Sequence, residues 1–140
     1  MSVHVLIVED SALVVTALRL LLEETGHRVS AASDVAGSMR ALRDDPPDVM
    51  LLDLTLRSMP GIEEDGLSVL HQLAAEGRRA PVTVAVTGHD APEVHARCRA
   101  AGCADVLLKP ISAMELPGQI VEWMARRGAA DTNSTADRRG

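Results

Sequence analysis

The sequence contains no phenylalanine and no tyrosine, and Trp123 is its only tryptophan. Hydrophobic residues nevertheless make up 46% of the 140-residue chain, so the core has to be built from aliphatic side chains. A chain of this length suits one folded domain.

Cysteine, long apolar runs and positive charge are also scarce. Cys98 and Cys103 form neither a disulfide framework nor a C-x-x-C motif, so we expect reduced thiols and a cytoplasmic location. No segment has the ~20 apolar residues that span a bilayer, and no leader-like pattern precedes the first strand, which argues against secretion and against a membrane anchor. The net charge of -6 argues against direct DNA binding, which needs a basic face.

The chain does contain five apolar, β-branched segments that alternate with helical patterns. The predicted strands cover 3–8, 28–32, 49–53, 81–86 and 105–108. The predicted helices cover 11–25, 34–43, 66–76, 90–102 and 112–127. This alternation predicts parallel strands joined by right-handed crossovers. Residues 128–140 have almost nothing to bury, so we expect one domain over 1–127 followed by a disordered tail.

Charged and hydroxyl side chains stand where four of the predicted strands end. The third strand is apolar until it stops on Asp53, a charge whose burial is costly unless it is paired. Glu9 and Asp10 follow the first strand, Thr87 follows the fourth, and Lys109 follows the fifth. Because the carboxyl ends of parallel strands share one edge, where open α/β sheets place their active sites, these side chains are expected to meet.

The expected group has the parts for phosphoryl transfer. Three neighbouring carboxylates need a cation, and an oxygen-only, incomplete ligand shell suits Mg²⁺. Asp53 would be the nucleophile, Lys109 could pair with Asp53 or with a phosphate oxygen, and Thr87 could donate its hydroxyl proton.

Each of these residues also has an ordinary structural interpretation. Glu9 and Asp10 could belong to a plain helix N-terminus, Thr87 could be a turn residue, and Lys109 with Pro110 could punctuate a loop. All of these ordinary roles would have to coincide at one edge, which favours a shared site.

The ordered motifs resemble the receiver domain of two-component response regulators, over about residues 3–127. They are VLIVED (5–10), VMLLD (49–53), VAVTG (84–88), AGCAD (101–105) and LKP (108–110). The resemblance implies a flavodoxin-like (βα)5 fold, a doubly wound parallel five-stranded sheet in the order 2-1-3-4-5.

The resemblance also implies a role for each residue at this edge. Asp53 would accept a phosphoryl group from a histidine kinase or a histidine phosphotransfer protein. Glu9, Asp10 and Asp53 would hold Mg²⁺ together with the backbone carbonyl of Thr55. Thr87 and Lys109 would bind the phosphoryl oxygens, and the Lys109–Pro110 bond would be cis.

The resemblance implies a stand-alone signalling phosphoacceptor rather than an enzyme, limited to self-catalysed phosphotransfer and autodephosphorylation. It would act through contacts with a downstream protein that the sequence does not identify. The first helix is apolar almost all round, which predicts an exposed patch for the phosphodonor, with a fully covered helix as the alternative.

Four features depart from the usual receiver pattern. The loop over 54–65 is longer than usual and is either a tolerated insertion or a lid or docking element. Val106 stands where an aromatic ring is usual, so the usual ring rotation is not available. Gly88 replaces the usual alanine, and Pro117 predicts a kink or a late start in the last helix.

Two other functions remain open. One is an interaction module of the same fold that works without phosphorylation, which the missing aromatic ring and the long loop favour. The other is a phosphatase of the haloacid dehalogenase type, suggested by Asp53, Leu54 and Thr55. That family usually has a second aspartate where Thr55 stands. Phosphorylation by a small-molecule donor with Mg²⁺ separates the phosphoacceptor hypothesis from both.

Overall fold

The computed structural model describes the backbone of residues 2–139, with side chains described except at positions 58 and 129–139. The strands are β1 (His4–Val8), β2 (Arg28–Ala32), β3 (Val49–Asp53), β4 (Thr55–Met59), β5 (Ile62–Asp65), β6 (Val82–Thr87) and β7 (Asp105–Leu108). The helices are α1 (Ala12–Glu24), α2 (Val35–Asp44), α3 (Ser68–Ala75), α4 (Pro92–Ala101) and α5 (Leu116–Arg139).

Five of the strands form one parallel sheet in the order β2-β1-β3-β6-β7. Counted among the five strands predicted from the sequence, this is the order 2-1-3-4-5, so the predicted fold class is confirmed. β1 and β3 lie in the interior of the sheet and are buried at every position, which explains their almost continuous apolar sequences.

The core consists of two apolar clusters, one on each face of the sheet. Successive side chains of a strand point to opposite faces, so β1 sends Val5 and Ile7 to one cluster and Leu6 and Val8 to the other. Helices α1 and α5 cover the first face through the buried side chains Leu18, Leu22, Leu116, Ile120 and Trp123. Helices α2 and α3 cover the second face through the buried side chains Val35, Met39, Leu42, Val69, Leu70 and Leu73.

The expectation of an irregular loop over 54–65 is wrong, because most of this segment is a β-hairpin. Strands β4 and β5 pair antiparallel, with Thr55 opposite Asp65 and an irregularity in the register further along. Pro60 and Gly61 form the turn between them. Gly61 has φ +78°, the left-handed value that a type II turn requires after proline. The turn therefore gives this insertion a regular structure.

Two expected helix boundaries shift for identifiable reasons. Helix α3 begins at Ser68 rather than at 66, because the N–H of Gly66 bonds to the carbonyl of Leu54 and closes the hairpin at 2.9 Å. Helix α5 begins at Leu116, so Pro117 falls in the first turn, where its missing N–H costs nothing. The predicted late start of the last helix is confirmed.

Helix α5 continues to Arg139, past the predicted domain boundary at 127. The side chains of residues 129–139 and all of residue 140 lie outside the described part of the chain. The predicted disordered tail over 128–140 falls almost wholly on these positions, and the domain boundary stays a prediction. Among the described residues, no helix combines the length and the apolar character that crossing a bilayer requires.

Candidate functional site

The polar residues that follow the strands meet at the carboxyl edge of the sheet. Asp53 is the last residue of β3, and it pairs in register with Val86 of β6, one residue before Thr87. Glu9 and Asp10 follow directly after β1, which pairs with β3, and Lys109 follows β7. The adjacency of β1, β3, β6 and β7 therefore brings together residues that are far apart in sequence.

Glu9, Asp10 and Asp53 form an acidic cluster. One carboxylate oxygen from each lies within 4.8 Å of the others. Burial, a hydrogen bond to Asp53 and the negative charge of Asp53 together raise the pKa of Glu9 to about 8, while Lys109 opposes the shift. Burial and the neighbouring carboxylates thus both favour the protonated form of Glu9.

Asp53 is almost completely buried, and both of its oxygens accept hydrogen bonds. The Lys109 ammonium donates to Oδ2 at 2.8 Å, and the main-chain N–H of Thr55 donates to Oδ1 at 3.1 Å. The same ammonium lies 4.0 Å from a Glu9 carboxylate oxygen. The Lys109–Pro110 bond is cis, as predicted. Asp53 is therefore held in a fixed orientation at the sheet edge.

Thr87 is buried, and its hydroxyl oxygen accepts the main-chain N–H of His89 at 3.1 Å. A hydroxyl that accepts in this way keeps its own proton for donation. Thr55, Thr87 and His89 line a cleft of about 350 Å³ between the hairpin and α4. Val106, which stands in place of the usual ring, lies in β7 opposite Ala85 and is partly buried.

The hairpin presents its free edge to the acidic cluster, which the sequence did not indicate. The main-chain N–H of Arg57 donates to Asp10 Oδ2 at 2.6 Å, and that of Thr55 reaches Asp53 as described. In an extended strand the N–H and C=O of one residue lie on the same edge, so we expect the Thr55 carbonyl on the edge that faces the acidic cluster. The edge formed by Thr55 and Arg57 thus lies against two of the three carboxylates.

This set of donors fits a hard divalent cation. The candidate ligands are all oxygen atoms, three of them carboxylate oxygens, and the Lys109 ammonium lies 2.8 Å from Asp53 and 4.0 Å from Glu9. Such a set is typical of Mg²⁺, which keeps several water ligands and leaves room for phosphate oxygens. The pKa of Glu9 is raised first by burial and then by Asp53, and a cation bound in the cluster would favour its ionised carboxylate.

The sheet order together with this acidic edge defines the flavodoxin-like class of receiver domains. Residues 5–121 match the family model described as the response regulator receiver domain. The chain therefore belongs to the response regulator receiver family.

Two curated relatives illustrate the similarity. The transcriptional regulatory protein PrrA of Mycobacterium leprae (strain TN) is 33% identical over 134 residues, which cover 96% of this chain and 55% of the relative. The transcriptional regulatory protein KdpE of Mycobacterium tuberculosis (strain CDC 1551 / Oshkosh) is 35% identical over 132 residues, which cover 94% of this chain and 52% of the relative. The chain thus spans about half the length of these relatives.

Solved structures share the fold at lower sequence identity. The receiver domain of the Francisella response regulator 1452 superposes with a TM-score of 0.76 at 22% identity, covering 89% of this chain and 98% of that one. A CheY-like response regulator receiver domain from Methanospirillum hungatei JF-1 gives a TM-score of 0.77 at 22% identity, covering 91% and 97%. These likenesses show the common architecture.

Proposed function

We propose that this domain is a phosphoacceptor of two-component signal transduction in which Asp53 receives the phosphoryl group. The observation that carries the proposal is the position of Asp53, buried at the sheet edge between the Lys109 ammonium at 2.8 Å and the carboxylates of Glu9 and Asp10. A buried carboxylate beside a lysine and further carboxylates is arranged for a reaction with a charged substrate rather than for stability.

In the proposed reaction, an Asp53 carboxylate oxygen attacks the phosphorus of a phosphohistidine. The new P–O bond makes an acyl phosphate, the P–N bond breaks, and the imidazole nitrogen leaves with the bonding electron pair. Lys109 passes from Asp53 to a phosphoryl oxygen, and Thr87 donates its hydroxyl proton to another. When bound by Glu9, Asp10, Asp53 and the Thr55 carbonyl, Mg²⁺ would neutralise charge on the phosphoryl oxygens and the carboxylates.

The phosphodonor is a histidine kinase or a histidine phosphotransfer protein, and α1 supplies its docking surface. Leu13 and Leu20 are 80% and 59% exposed, and only Leu18 and Leu22 of this helix are buried, which contradicts the alternative of a fully covered helix. Beside Val14, a largely apolar cleft of about 560 Å³ reaches Asp53 and Lys109. A partner seated on α1 could therefore present its phosphohistidine to Asp53.

The proposal also covers the activity, the location and the partners of the domain. It has no enzymatic activity beyond transfer and hydrolysis of its own phosphoryl group. It acts in the cytoplasm on a downstream protein, without direct contact with DNA or membrane. Phosphotransfer profiling against the histidine kinases of the host would identify the donor.

The proposal is tested by incubating the protein with phosphoramidate, a small P–N donor, in the presence of Mg²⁺. We expect intact-mass spectrometry to show one added phosphoryl group that hydroxylamine removes, as it does from acyl phosphates. Asp53→Asn should abolish the adduct, whereas the matched control Asp44→Asn, an exposed aspartate at the end of α2, should keep it.

Two results would replace this proposal by another. If no donor modifies the wild-type protein, the phosphorylation-independent interaction module is the better function, and the valine at position 106 supports that alternative. If the protein hydrolyses a phosphate monoester with turnover, the phosphatase hypothesis is revived.

A further inference from the structure

The free edge of β4 contacts two of the proposed cation ligands at once. The Arg57 main-chain N–H donates to Asp10 Oδ2 at 2.6 Å, and the Thr55 main-chain N–H donates to Asp53 Oδ1 at 3.1 Å. Asp10 lies in the loop after β1 and is partly buried, and the bond from the Arg57 N–H orients its carboxylate. The hairpin is thus the structure that holds Asp10 towards the other two carboxylates.

The same hairpin is attached to two helices away from the acidic cluster. Glu64 Oε1 accepts the main-chain N–H of Val35 at the start of α2 at 3.2 Å. Asp65 Oδ2 accepts from the Arg97 guanidinium of α4 at 2.8 Å. Leu56 anchors the hairpin by packing into the core with no exposed surface. The hairpin therefore joins the carboxyl edge of the sheet to α2 and α4.

We propose that Arg57 is a positioning residue whose main-chain N–H orients the Asp10 carboxylate for the divalent cation, and that cation binding and hairpin docking are coupled through this bond. The inference rests on the proposed function, because it presupposes that the acidic cluster binds Mg²⁺. A carboxylate accepts several hydrogen bonds, so Asp10 can keep the bond from Arg57 while its remaining lone pairs face the cation.

Two general arguments support the coupling. Groups that hydrogen-bond to metal ligands fix their orientation, and their loss typically weakens metal binding by roughly 10–100-fold. Coupling of two equilibria is also reciprocal, so a cation that needs Asp10 in this orientation stabilises the docked hairpin in return. The hairpin then transmits the state of the acidic cluster to α2 and α4 without the aromatic ring that Val106 replaces.

The main-chain role of Arg57 can be separated from its side chain. The guanidinium pairs with Glu63 at 2.9 Å, and both side chains are mostly exposed. Arg57→Pro removes the N–H that reaches Asp10, and proline is tolerated on the unpaired edge of a strand. Arg57→Ala also removes the guanidinium, whose charge acts on Asp10 and Asp53, but it keeps the N–H, so it is the matched reference for Arg57→Pro.

Isothermal titration with Mg²⁺ is the first measurement. We expect Mg²⁺ binding to be roughly 10–100-fold weaker in Arg57→Pro than in Arg57→Ala, which lacks the same side chain but keeps the N–H. The second measurement is hydrogen exchange of the amides at 55–65. Mg²⁺ should increase their protection in the wild type and in Arg57→Ala, but not in Arg57→Pro.

A second pair of variants tests the coupling from the far side of the hairpin. Glu64→Ala removes the bond to α2, leaves the residues of the acidic cluster unchanged and should weaken Mg²⁺ binding. Glu63→Ala removes only the pair with Arg57 and should not weaken Mg²⁺ binding. Equal Mg²⁺ affinity in Arg57→Pro and Arg57→Ala, or equal affinity in Glu64→Ala and Glu63→Ala, would overturn the coupling and leave the phosphoacceptor function standing. A wild-type protein that does not bind Mg²⁺ would remove the proposed cation site and the inference with it.

Discussion

Gly66 lies where the hairpin returns to the sheet, and the space around it admits no side chain. A Cβ at this position would lie 2.0 Å from the carbonyl oxygen of Asp53 and 3.2 Å from the Cα of Leu54. These are main-chain atoms of the segment that carries the proposed phosphorylation site, so they cannot move aside as a flexible side chain could. Glycine at this position therefore permits the close approach of the hairpin to Asp53.

Gly66→Ala should consequently lower the free energy of unfolding by at least about 1–3 kcal/mol, the usual cost of overpacking. It should also slow phosphorylation of Asp53, because relief of the clash displaces that main chain. Urea unfolding and phosphoramidate labelling measure the two effects. Gly88→Ala is the control, since a Cβ at position 88 would meet nothing within 4 Å beyond its chain neighbours. Equal stability of the two variants would contradict this account.

His27 is a second residue with a consequence for the whole chain, because its burial makes the stability of the fold depend on pH. It is buried, and its Nδ1 accepts the main-chain N–H of Val3 at 3.1 Å. Burial lowers the pKa of His27 below the ordinary value of 6.5. A protonated ring could not accept the Val3 N–H, so the neutral ring is the form that holds β2 and the start of the chain together.

The folded pKa of His27 is lower than the unfolded pKa, so the unfolded chain takes up the proton first as the pH falls. The contribution of His27 to stability is fully present above pH 6.5. It is lost as the pH falls towards and through the pKa of His27 in the folded state. His27→Gln keeps an acceptor but does not titrate. We expect it to lose less stability than the wild type between about pH 7.5 and about pH 5, which bracket the ordinary histidine pKa. His71→Gln, at an exposed position of α3, should lose as much stability as the wild type over this pH range, as denaturant unfolding at each pH would show.

At the scale of elements, the parallel sheet was predictable and the hairpin was not. β1 and β3 are apolar at successive positions because each faces a cluster on both sides, and that pattern marks central strands of a parallel sheet. β5 contains Glu63, Glu64 and Asp65 in four residues, a composition depleted in strands. Only the Pro60–Gly61 turn indicated the hairpin in the sequence.

The same distinction applies to the candidate site. The carboxylates and Lys109 could be placed together from the sequence because each follows a strand, and parallel strands end at one edge. The bond from Arg57 to Asp10 could not be predicted in this way, because it uses a main-chain N–H that nearly every residue type possesses. Side-chain patterns carry no information about such a contact.

Leu56 tests whether the hairpin is an integral part of the core. It has no exposed surface and packs among side chains of α2 and α3, whereas Met59 on the same strand is 57% exposed. Leu56→Ala should therefore cost about 2–5 kcal/mol of unfolding free energy, as buried leucines typically do. Met59→Ala should stay within about 0.5 kcal/mol of the wild type. If chemical denaturation gives similar small losses for both, the hairpin contributes little to the fold.

At the scale of the whole molecule, α5 is part of the sheet's core rather than an appended helix. Leu116, Ile120 and Trp123 recur at helical spacing and are all buried in the cluster shared with α1. Trp123 also donates its Nε1–H to Asp105 Oδ2 of β7 at 2.9 Å. Because Trp123 is the only tryptophan, its fluorescence reports on the contact between α5 and the sheet.

We therefore expect the domain to unfold in one cooperative transition. Curves from Trp123 fluorescence and from far-ultraviolet circular dichroism should coincide in urea, which is the standard test of two-state behaviour. Ile120→Ala should shift both curves together by about 2–5 kcal/mol because it opens a cavity between α5 and the sheet. Val121, the next residue, is 51% exposed, so Val121→Ala should shift neither curve appreciably. A fluorescence transition at lower urea than the dichroism transition would show that α5 detaches first, and the cooperative unit would then exclude this helix.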